Sequence, residues 1–93
     1  MNYKNKVSYY AIIPANVRYD EELTDKAKLL YGEITALSNK EGYCFATNKY
    51  FANLYKRTNR AIQNAISKLQ ENGYINVVKE IRYKYAAIVC NKK

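Results

Sequence analysis

In the stretch "TNRAIQNAISKLQEN" (residues 58–72), Asn59, Arg60, Gln63, Asn64, Ser67 and Lys68 alternate with an apolar set of Ala61, Ile62, Ala65, Ile66 and Leu69. Spacings of three and four separate two faces on a helix, so the apolar set turns inward and the polar set outward. The outward set is chemically selective. A guanidinium forks two donors onto a pair of acceptors, while a carboxamide carries one acceptor beside one donor. These are complements of base edges in the major groove: Arg60 for guanine O6 and N7, Gln63 or Asn64 for adenine N7 and N6. Thr58, at the helix start, sets a hydroxyl beside free backbone N–H groups, a place for a phosphate oxygen. Any one of these residues is also an ordinary member of a solvated helix face. Their joint pattern carries the reading.

The charge is distributed to match. The chain has a net charge of +8, yet residues 1–46 hold six basic and six acidic residues, whereas residues 47–93 hold ten basic and only two acidic, Glu71 and Glu80. A compositional bias toward lysine would raise both halves alike. A field confined to the half that contains residues 58–72 attracts polyanions instead.

The elements that must position these residues can be read from the same sequence. "VSYYAII" (residues 7–13), β-branched and aromatic and stopped by Pro14, reads as a short strand, and "ANVRYDEEL" as an acidic loop. Thr24 is an N-cap, and Ala27, Leu30, Tyr31, Ile34 and Leu37 set out a helix that ends near Asn39 and Gly42. "YCFA" (residues 43–46) reads as one strand of a small sheet. Thr47 caps a short second helix with Tyr50, Phe51, Leu54 and Tyr55 inward. A turn of Tyr55, Lys56 and Arg57 leads to Thr58, which caps the third helix. Gly73 ends that helix in the left-handed conformation. "YINVVKEI" and "YKYAAIVC" then form a hairpin. The predicted fold class is α+β: a winged helix-turn-helix of three helices, a small antiparallel sheet and a C-terminal β-hairpin wing, one domain over residues 1–93.

That order gives further candidates. A short helix and tight turn bracing a second helix is the geometry of a groove reader. Thr47, Asn48 and Lys49 on the bracing helix, with Lys56 and Arg57 in the turn, flank the groove as backbone contacts. Lys79, Arg82 and Lys84 charge the wing, and Tyr83 at its tip packs on sugar or stacks on an unpaired base. For the wing lysines the plainer alternative is protection of edge strands.

"IIPANV", "LTDKAKLLYGEITALSN", "GYCFATNKYFANLY" and "AIQNAISKLQENGYI" together resemble the N-terminal winged-helix domains of phage and plasmid replication proteins of low-GC Gram-positive bacteria. These are the replisome organisers and replication initiators, and the likeness runs over residues 9–78. The resemblance implies recognition of repeated sites in an origin. Many such domains have glycine in the inter-helix turn and an apolar residue after it. Lys56 and Arg57 stand here, so a differently built turn is expected. The chain ends soon after the wing, which leaves two expectations: a fragment of a longer replication protein, or a free-standing DNA-binding protein of a mobile element.

Other function classes find less support. The chain has no histidine, the commonest general base and metal ligand, and its three glycines form no phosphate-cradling loop. Asp20, Glu21 and Glu22 lack partner ligands at a recognisable spacing. Cys44 and Cys90 suit packing better than nucleophilic attack. No enzymatic activity, metal, cofactor or small-molecule substrate is therefore expected. Nothing resembles a signal peptide, and no stretch approaches the ~20 apolar residues of a membrane span, so a cytoplasmic protein with no membrane partner is expected. The expected partner is double-stranded DNA, with a homodimer through residues 9–13 or the last strand as an open option. A transcriptional regulator of a mobile element uses the same reader. A single-strand-binding replication accessory protein stacks bases on tyrosines. A protein-binding module predicts no salt-sensitive DNA binding.

Overall fold

The computed structural model describes residues 11–38, 42–44, 47–79 and 86–90, with the side chains of Lys79 and Ala86 excepted. In chain order these form α1 (Ala15–Arg18), α2 (Asp25–Ser38), α3 (Asn48–Tyr55), α4 (Asn59–Glu71), β1 (Ile75–Lys79) and β2 (Ala86–Cys90). The strands pair antiparallel, with Ile75 opposite Cys90 and Lys79 opposite Ala86. The architecture is an α+β winged helix.

Local chemistry sets the helix boundaries. Thr24 Oγ1 accepts from Ala27 N (3.1 Å) and Asp25 lies in the first turn of α2, where the helix dipole favours negative charge. Beyond the end of that helix, Gly42 N bonds Ser38 O (2.7 Å) with Gly42 at φ +83°. Buried Leu30 and Ile34 of α2, Phe51 of α3, Ile62 and Leu69 of α4, and Ile75 of β1 share one core. Each such side chain contributes about 1.5–3 kcal/mol on burial, which outweighs the weak preferences of single helix positions. Gly32 is buried on α2 for a steric reason. A Cβ there would stand 3.0 Å from Ala11 Cβ and from Ile13 Cγ1, so the missing side chain lets residues 11–13 pass close over the helix.

Several expectations need correction. Residues 11–13 form no strand, because they lie over Gly32; residues 7–10 of that predicted strand are outside the described residues. The predicted acidic loop contains α1, with Pro14 at its N-cap position and fully buried Val17 as its anchor, which makes four helices among the described residues. The predicted strand at residues 43–46 reduces, among the described residues, to a bridge at Cys44, whose backbone exchanges two 2.8 Å hydrogen bonds with Ile88. Tyr50, expected inward, is 39% exposed. Phe51 and Tyr55 face inward as expected, joined by buried Ala52, while Leu54 is only half-buried.

Candidate nucleic-acid interface

The interface begins at the N-cap of α3. Thr47 Oγ1 accepts from Tyr50 N (3.1 Å), which spends one of the hydroxyl's two lone pairs on the helix start. At the other end of α3, Lys56 adopts the left-handed conformation (φ 56°, ψ 50°), and the N–H groups of Lys56 and Arg57 both meet Ala52 O. The turn is therefore the one a glycine would make, and the expectation of a different construction was wrong. Thr58 restores extended backbone and caps α4, its Oγ1 accepting from Ala61 N (3.0 Å).

This construction aims α4. Ile62, Ala65, Ile66 and Leu69 are buried, while Asn59, Arg60, Gln63 and Asn64 are exposed and Ser67 and Lys68 half-buried. Exposed Lys56, Arg57 and Thr58 lead directly into α4, which puts two cations at its start, and exposed Lys49 lies in the first turn of α3. Asn48, half-buried at the start of α3, donates from Nδ2 to Gln63 Oε1 (2.8 Å), and Gln63 Nε2 donates to Ser67 Oγ (3.3 Å). Of the wing residues, Lys79 ends β1, opposite Ala86; Arg82, Tyr83 and Lys84 lie outside the described residues.

Two surface residues were missed from sequence. Exposed Glu71 follows Arg60, Asn64 and Ser67 at spacings of three and four, which puts a negative charge at the far end of the outward face. The outward face thus carries Arg60 in its first turn and Lys68 with Glu71 in its last, so the unopposed cation is Arg60, and the spacing alone contained that signal. Tyr50 presents its ring outside α3, edge-on to Phe51 at 5.5 Å.

The tyrosines facing α1 and α2 have a different role. Tyr74 donates its hydroxyl to Asp20 Oδ2 (2.6 Å), with Asn16 O at 3.1 Å; the bond to Asp20, then burial, push its pKa up to about 12. Tyr55 donates to Glu33 Oε1 (3.0 Å), and burial followed by the Glu33 charge raises its pKa. These phenols tie acidic residues into the structure.

A bracing helix, a tight turn and an uncovered second helix beside an antiparallel strand pair define a winged helix-turn-helix. The sequence model of a helix-turn-helix domain family (HTH_36) matches residues 21–75, from the acidic loop to the first residue of β1. The chain belongs to that family, and membership supports DNA binding. No curated protein and no solved structure gives a significant match to the chain. Among the described residues, no helix is long and apolar enough to cross a membrane.

Proposed function

We propose that this protein binds double-stranded DNA sequence-specifically with the outward face of α4 in the major groove, at origin repeats in replication initiation of a phage, plasmid or other mobile element. The observation that carries the DNA reading is the exposure of Asn59, Arg60, Gln63 and Asn64 on a helix whose opposite face is buried, directly after exposed Lys56 and Arg57 and with Lys49 exposed on α3. Arg60 reads guanine. Lys49, Lys56, Arg57, Lys68 and the N–H groups behind Thr47 and Thr58 hold phosphates, which fixes register without reading sequence. The wing, through Lys79, Arg82, Tyr83 and Lys84, meets the adjacent backbone. The role is one of binding, without catalysis or cofactor. Support for initiation is the sequence likeness to replication proteins over residues 9–78.

Selection from a random duplex pool tests the binding, and a footprint of the selected motif on mobile-element DNA tests the task. Enrichment of one motif, found repeated at an origin, is the expected result. Protection of a promoter alone would assign the same surface to transcriptional regulation. Equal affinity for single strands and duplexes would contradict the groove reading. A palindromic or directly repeated motif would report a dimer and its geometry.

A further inference from the structure

Gln63 and Asn64 are both exposed carboxamides on the outward face of α4, and the sequence alone leaves either as the reader of adenine. Their surroundings differ. Asn64 has no side-chain partner among the described residues, whereas Gln63 is held at both ends of its amide, by Asn48 Nδ2 at 2.8 Å and by Ser67 Oγ at 3.3 Å. Asn48 stands at the start of the other helix, 15 residues away in sequence. From this we infer that Asn48 is a positioning residue: with Ser67, it fixes the Gln63 carboxamide so that Gln63, and not Asn64, selects adenine. The inference rests on the DNA-binding reading above.

The hydrogen-bond inventory supports the base assignment. A carboxamide oxygen accepts two bonds and its nitrogen donates two. Asn48 occupies one acceptor site of Gln63 and Ser67 one donor, which leaves one acceptor beside one donor. Adenine offers the complement, an N6 donor next to the N7 acceptor, whereas guanine offers two acceptors and would face the amide oxygen with its own O6. Turning both amides over leaves the same remainder. Asn48 Oδ1 would then accept from Gln63 Nε2, and Gln63 Oε1 from the Ser67 hydroxyl. Holding the side chain before DNA arrives also removes rotamer freedom that a bare glutamine loses on binding. Asn48 keeps a second N–H for a phosphate, so backbone contact by α3 and base reading by α4 share one bonded unit.

The test is selection of the wild type, Gln63→Ala, Asn64→Ala, Asn48→Ala and the Asn48→Ala/Gln63→Ala double variant from one random duplex pool at fixed salt. Melting temperatures verify that each is folded. Gln63→Ala is expected to lose about tenfold of an adenine preference at one position. Asn48→Ala should lower that same preference by about threefold, and the double variant should be no worse there than Gln63→Ala. Asn64→Ala should leave that position alone. The inference is overturned if Asn48→Ala keeps the preference or weakens all positions equally, if the single losses multiply, or if Gln63 reads another base. A folded wild type that enriches no sequence overturns the DNA-binding reading itself, a result distinct from all of these.

Discussion

Helices α3 and α4 both end with a backbone N–H bonded to the carbonyl five residues back, just after a residue in the left-handed conformation, but that residue differs. After α4, Tyr74 N bonds Leu69 O (2.9 Å) and Gly73 N bonds Gln70 O (3.0 Å), with Gly73 at φ +79°. After α3, Arg57 N bonds Ala52 O (2.9 Å) and Lys56 takes the left-handed position at φ +56°. A side chain there costs about 1–2 kcal/mol, and glycine escapes that cost. The two ends lead to different places. Tyr74 turns into the core, edge-on to Tyr31 at 5.9 Å and bonded to Asp20. Lys56 and Arg57 turn outward, beside the first residues of α4. Where packing alone matters, the chain uses the residue the backbone prefers. In the proposed DNA-binding surface it keeps a strained cation, the kind of backbone strain that functional sites retain.

Breaking the packed end should have the largest effect. Tyr74→Ala removes a buried ring and should cost about 3–5 kcal/mol in urea unfolding. Tyr74→Phe keeps the ring and loses the hydroxyl bonds, for about 1–2 kcal/mol at neutral pH. That difference has a defined pH dependence. Because folding raises the phenol from 10.0 to about 12, its contribution is complete below pH 10 and fades as pH climbs toward 12. The gap between wild type and Tyr74→Phe should therefore narrow over that interval and stay flat from there down to neutral pH. A gap constant through the interval would contradict the bond to Asp20.

Exchanging the two closures gives smaller effects with opposite signs. Gly73→Lys should cost about 1–2 kcal/mol of stability. Lys56→Gly relieves that strain but adds about 0.5–1 kcal/mol of unfolded-chain entropy, leaving a gain of about 1 kcal/mol or less, visible as a rise of a few degrees in Tm. It should also flatten the salt dependence of duplex binding by about one phosphate, without changing base preference. Stability and affinity then move apart at Lys56. A Lys56→Gly variant that bound with an unchanged salt slope would remove Lys56 from the interface.

The same comparison explains what could be read from sequence. The caps at Thr24, Thr47 and Thr58, the glycine at 73 and the buried stripe of α4 are local rules acting over a few residues, and all were legible. The expectation for Lys56 fails because the local rule assigns its backbone to glycine, while the tight α3–α4 connection imposes it regardless. An eight-residue helix gives only two turns of pattern, too few to separate exposed Tyr50 from its buried neighbour Phe51. Helix α1 has four residues and one buried anchor, Val17, too few for any period to register. The residues of the outward face were legible as types on a face. The bond from Asn48 to Gln63 was not, because it joins residues that only the packed turn brings together.

The central claim is that the outward face of α4 reads a duplex, and Arg60→Ala tests it most directly. The measurement is the affinity of wild type and variant, at one salt concentration, for the selected duplex and each of its single-base variants. We predict a loss of about 1–3 kcal/mol of discrimination at one guanine, with other positions and Tm unchanged. A folded Arg60→Ala protein with wild-type preference at every base pair would contradict the claim.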